Sequence, residues 1–203
     1  MWWHVFPTGS CCESGVKTGK PHMTLSPSES LPLEIARRRV YMALFTAMAI
    51  LVHVGEGVLP SPAPWFRFGF ANILTVVVLF LYGSGAAWRL TLTRIGIGAL
   101  ILGKLFAPGF FLSLGGGLCA LMVMTGVWKM SQRWAGPIGI SALGAAGHAL
   151  GQFAIAWMFL LRHDGLWRLF PLYLLFALVT GVFNGWCAVQ LLERLKKQRV
   201  EVV

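Results

Sequence analysis

At 203 residues the chain has the length of a single domain. It is 57% hydrophobic and 12% charged, where soluble domains average about 25% charged and about 45–50% apolar residues. The net charge of +10 comes from basic residues that punctuate apolar runs instead of clustering on one solvated face, which excludes a nucleic-acid-binding module and points to a lipid bilayer.

Residues 1–33 are polar and contain Gly, Ser and Pro, with no apolar core long enough for a signal peptide. They read as a disordered tail, or as translation from an upstream start, since Met23 also serves as an initiator. Six apolar runs follow, over residues 40–59, 68–82, 90–106, 109–128, 136–161 and 166–192. Runs one, four, five and six reach the ~20 residues that a membrane-spanning helix takes, and runs two and three are shorter. Buried helices of a soluble bundle show polar faces at helical period; "ANILTVVVLFLY" and "FLSLGGGLCALMVMTGVW" show none. The expected fold is an all-α polytopic membrane domain of six transmembrane helices over residues 34–195, closed by a basic tail over 196–203.

Lys and Arg in short flanks set orientation. An even number of spans puts both termini on one side, which receives Arg37, Arg38, Arg39, Arg89, Lys129, Arg133, Arg194, Lys196, Lys197 and Arg199. The other receives Arg67, Lys104, Arg162 and Arg168. Both termini are therefore expected in the cytoplasm. Cys11 and Cys12 lie in the tail, Cys119 and Cys187 in apolar runs, and nothing resembles a disulfide framework or a C-x-x-C metal site.

Within run three, Gly98 to Lys104 has the G-x-x-x-x-G-K spacing of a phosphate-binding loop. Such a loop needs a strand before it and Ser or Thr after the Lys. Here Leu105 follows, inside a membrane-length run, so the glycines are expected to let helices approach closely and Lys104 to snorkel to the interface. Any ATP used belongs to another chain.

Polar side chains in apolar runs are costly and are functional candidates. Helix two enters from outside, placing Asn72 about 6 Å in at 1.5 Å per residue. Ser113 falls in the outer half of helix four, His148 near the middle of helix five, and Gln152 one turn further out. His53 and Glu56 lie near the outer end of helix one, and Arg67 closes the Pro-rich loop on that side. Candidate substrate contacts are Glu56, Arg67, Asn72, Ser113, His148 and Gln152; no metal site or cofactor is assigned. Interhelical hydrogen bonding is an equal reading for Asn72 and for the His148–Gln152 pair. Arg94 has no acidic partner in sequence, sits where it can snorkel, and is left unassigned. Ala43 and Ala47 form A-x-x-x-A on helix one, and Gly147 and Gly151 form G-x-x-x-G on helix five; both permit close packing, which for the second pair is read as internal.

The stretches "FRFGFANILTV" (66–76), "RIGIGALILGKLFAPGFFLSLGGGLCALMVM" (94–124) and "ISALGAAGHALGQ" (140–152) resemble the Gx transporter family, often labelled heptaprenyl diphosphate synthase component I. That family is similar to the S components of energy-coupling factor transporters. The resemblance implies a six-helix bundle in the cytoplasmic (inner) membrane that captures a small molecule on its outer side. It also implies docking through Ala43 and Ala47 on a transmembrane coupling subunit driven by ATPases. The chain departs from the family pattern at Ala149, where Asn often follows the His, and at Arg67, often Lys.

Prenyl diphosphate synthesis needs clustered aspartates to hold magnesium against pyrophosphate. The chain has one Asp, Asp164. It is therefore not expected to be an enzyme alone, and the leading expectation is a substrate-binding transporter subunit. The alternatives are an accessory component of heptaprenyl diphosphate synthase or a structural subunit of a membrane redox complex. Trp65, Phe66 and Trp157 near the outer side suit a flat or apolar ligand, vitamin- or flavin-like.

Overall fold

The computed structural model describes residues 27–58, 69–131, 135–159 and 166–201, and these are entirely helical apart from short connections. Six helices follow one another: α1 (Pro27–Val58), α2 (Ala71–Tyr82), α3 (Ser84–Ile101), α4 (Pro108–Met130), α5 (Pro137–Phe159) and α6 (Leu166–Glu201). The chain divides into two units, Met1–Tyr41 and Met42–Val203. In the first, the Arg37 guanidinium lies over the Tyr41 ring, 5.7 Å from its centroid. The packing and the clefts described below lie in the second.

Four stretches are long and apolar enough to cross a membrane: Ile35–Val58, Pro108–Met130, Pro137–Phe159 and Trp167–Lys197. The shorter apolar helix Ala71–Tyr82 rises about 18 Å at 1.5 Å per residue, against the ~30 Å hydrocarbon core of a bilayer. It is also buried by its neighbours. Ala71, Asn72, Leu74, Thr75 and the run Val76, Val77, Val78 and Leu79 are all buried, as expected of a helix that is apolar all round.

α3 begins earlier than the apolar run suggests. Gly83, at φ +84, links α2 directly to α3, a conformation that costs glycine little, and its N–H donates to the Leu79 carbonyl. The two helices form a tight antiparallel hairpin, and α3 absorbs Trp88 and Arg89 into its first turns. At its far end, Gly103 (φ +63) donates to the Leu100 carbonyl, and Lys104 N–H donates to that of Ala99. This pair of bonds is the Schellman stop of a helix C-terminus. The second glycine of the phosphate-loop-like string is thus a helix cap.

α4, α5 and α6 pack almost backbone to backbone, because glycines face one another's helices. A Cβ at Gly151 would come within 2.6 Å of the Gly115 carbonyl oxygen, and one at Gly147 within 2.9 Å of Val123. The G-x-x-x-G pair therefore packs α5 on α4, as the sequence suggests. On the other side, Gly181 and Gly185 of α6 lie against Ala142 and Ile138 of α5. α1 buries Phe45, Ala49 and His53 at four-residue spacing, leaving Ala43, Leu44, Ala47 and Met48 exposed.

Candidate small-molecule site

Polar side chains from all six helices come to one level of the bundle. His53 and Glu56 of α1, Asn72 of α2, Arg94 of α3, Ser113 of α4 and His148 of α5 line one cleft. A second cleft shares Gly69, Asn72 and His148 with the first and opens on α6, where Tyr173, Phe176, Thr180 and Asn184 form its wall. Ala145 and Ala149 of α5 line it too.

The α2–α3 hairpin brings Asn72 and Arg94 together. Arg94 Nη2 donates to Asn72 Oδ1 at 2.9 Å, and the Thr75 and Thr91 hydroxyls lie 3.4 Å apart. Both pairs are equidistant from Gly83, eleven and eight residues to either side. Arg94 does not snorkel: it is 3% exposed and forms part of the cleft wall. A permanently charged group so placed needs hydrogen-bond acceptors, because desolvation otherwise outweighs any packing it provides.

The N-terminus of α2 is held from two sides. Glu56 Oε1 accepts the Phe70 N–H at 2.5 Å, so α1 supplies the cap that Phe70, the N-cap residue itself, does not. A carboxylate here also meets the positive end of the helix dipole. Gly69, at φ +72, turns its carbonyl to accept from the Asn72 N–H at 2.9 Å and from Asn184 Nδ2 at 3.1 Å. This contact joins α6 to the start of α2.

Two glycines provide room for the polar side chains. A Cβ at Gly98 would meet His53 Cδ2 at 2.6 Å, and one at Gly116 would meet Gln152 Cγ at 2.6 Å and His148 Cε1 at 2.9 Å. Gly98, the first glycine of the phosphate-loop-like string, is a seat for an imidazole. Gln152 is 1% exposed, one turn from His148, and its Oε1 accepts from the Tyr173 hydroxyl at 2.5 Å.

Of the residues singled out in the sequence, Glu56, Asn72, Ser113 and His148 thus line one cleft. Gln152 lies behind them against Gly116. Arg67 and Asp164 lie outside the described residues. Ser113 gives its hydroxyl to the Gly109 carbonyl at 2.8 Å, which leaves its oxygen as an acceptor. Among the described residues, no three His, Cys, Asp or Glu side chains group as metal ligands. The sequence reading left Arg94 unassigned and passed over Asn184, Thr180 and Tyr173. The signal for Arg94 was its separation from Gly83, equal to that of Asn72. For Asn184 it was an amide in the middle of the apolar run "TGVFNGW".

The profile of the family described as heptaprenyl diphosphate synthase component I matches residues 45–191. The chain belongs to that family. Every cleft-lining residue, from His53 to Asn184, lies within the matched span, so the site belongs to the part this heptaprenyl diphosphate synthase component I family member shares with its relatives. No curated protein and no solved structure gives a significant match. With four helices of membrane-crossing length, the chain is a membrane protein of the heptaprenyl diphosphate synthase component I family.

Proposed function

We propose that the chain is the substrate-binding subunit of a small-molecule transporter, similar to the S component of an energy-coupling factor system. Its membrane domain, residues 34–195, crosses the cytoplasmic (inner) membrane six times with both termini in the cytoplasm. It captures a vitamin- or flavin-like ligand from the outer side and leaves ATP hydrolysis to ATPases acting through a transmembrane coupling subunit.

The observation that carries this reading is the polar level itself. His53, Asn72, Arg94, Ser113 and Asn184 are all at least nine-tenths buried, and with Glu56 and His148 they border two adjoining clefts in an otherwise apolar bundle. Each such group is expensive in hydrocarbon, and holding helices together does not require every helix to contribute one at the same depth beside open space. The exposed alanines Ala43 and Ala47 support the docking face, because small side chains let a partner helix approach closely.

The family description favours a second reading, an accessory component of a heptaprenyl diphosphate synthase. On that reading the chain still leaves the chemistry to its partner, because its single Asp cannot form the acidic cluster that holds magnesium on a diphosphate. Affinity purification of the tagged protein from its own host's membranes separates the two. A co-purifying transmembrane subunit with ATPases is expected; a prenyl diphosphate synthase chain in their place contradicts the transporter reading.

A further inference from the structure

The α6 wall of the second cleft has a chemical polarity of its own. Asn184 is 2% exposed, and its Nδ2 donates to the Gly69 carbonyl, which also receives the Asn72 N–H. A carbonyl only accepts, so the Asn184 amide has one orientation; turned over, it would set two oxygens against each other. Its Oδ1 is buried and has no hydrogen-bond partner among the described residues. One turn earlier on the same face, Thr180 directs its hydroxyl hydrogen to the carbonyls of Phe176 and Ala177, each at 3.0 Å. Further along that face, Tyr173 gives its hydrogen to Gln152. The three oxygens on this wall therefore share one property: each accepts, and none has a hydrogen left to give. The donor-bearing Asn72 amide lines both clefts, and the Arg94 guanidinium lines the adjoining one.

Resting on the transporter reading above, we propose that the ligand turns nitrogen-bound hydrogens toward α6, as an amine or an amide- or ureide-type N–H group. Asn184 Oδ1 and Thr180 Oγ1 receive them. A carboxylate or diphosphate facing this wall would bring acceptor against acceptor; any anionic end belongs on the Arg94 side.

The test uses the full-length protein in detergent and saturation-transfer NMR with two matched pairs of fragments. 2-Imidazolidinone and n-butylammonium carry N–H donors; N,N′-dimethylimidazolidinone and n-butyltrimethylammonium do not. At least one donor-bearing fragment is expected to bind, and its methylated counterpart to bind about tenfold more weakly, the worth of roughly one hydrogen bond. Thr180→Val keeps the side-chain shape and removes one acceptor, so it should weaken the donor-bearing fragment about fivefold to tenfold. Asn184→Asp distinguishes the two nitrogen classes: it strengthens the ammonium if the ligand is an amine and leaves the ureide favoured if it is an amide. Equal binding within both pairs overturns the proposal, as does unchanged binding in a Thr180→Val protein of normal melting temperature. Asn184→Asp loses the Gly69 bond and sets an oxygen against that carbonyl, so Thr180→Val decides where the Asp variant does not fold. Uptake of a molecule without N–H donors defeats this inference alone, whereas fragment discrimination without any uptake defeats the transporter reading alone.

Discussion

Arg94 and Asn72, twenty-two residues apart in the chain, meet side chain to side chain because the Gly83 turn folds α3 back along α2. The guanidinium sits in the cleft wall with the Asn72 carbonyl as acceptor. Removing either partner leaves buried polarity behind, so Asn72→Leu should cost about 1.5–3 kcal/mol, the worth of a hydrogen bond to a charged group. The double variant with Arg94→Leu should lose less than the two single losses added together. A double-mutant cycle on detergent unfolding measures the coupling; strictly additive losses would show that the contact contributes nothing.

Gly98 and Gly96 offer a matched pair on α3. A Cβ at Gly98 collides with the His53 ring at 2.6 Å, and one at Gly96 meets nothing within 4 Å. Gly98→Ala should therefore destabilise by about 1–3 kcal/mol through overpacking and displace His53 from the first cleft. Gly96→Ala should be neutral or stabilise by up to about 1 kcal/mol, since Ala is the better helix former. Melting temperatures of the two variants check the contrast, and equal effects would mean that Gly98 does not seat the imidazole.

These two glycines show where the sequence was legible and where it was not. Apolar runs of membrane length located four of the six helices, and isolated polar residues inside those runs and the shorter second run located Ser113, His148 and Asn72. Hydropathy averages over a window, so it could not see that Gly83 starts α3 six residues before the third apolar run. With that register missed, Arg94 was left unassigned and its pairing with Asn72 was invisible. Asn184 was hidden for another reason: its partner is the Gly69 carbonyl, 115 residues away, and a backbone acceptor leaves no trace in residue identity. The string Gly98 to Lys104 was rightly refused as a phosphate loop. What its glycines do instead, seat a histidine and stop a helix, needed three dimensions.

The outward side of α1 gives a third expectation. Ala43 and Ala47 are exposed while Phe45 and Ala49 between and beside them are buried, so leucines at both alanines add bulk away from the core. The Ala43→Leu, Ala47→Leu protein should melt within about 0.5 kcal/mol of wild type, as surface changes do. If the face docks a coupling subunit, ligand binding survives and uptake in cells is lost. Full uptake would exclude the docking role.

The central claim is that this membrane protein holds a small molecule among side chains drawn from six helices. Native mass spectrometry of the full-length protein, released from detergent after gentle purification from its own membranes, tests it most directly. The wild-type chain should carry one small molecule per polypeptide. A His148→Ala variant with unchanged melting temperature should carry little or none, because His148 borders both clefts. A wild-type chain that carries no small molecule, and whose only stable companion is a prenyl diphosphate synthase dependent on it for turnover, would contradict the account.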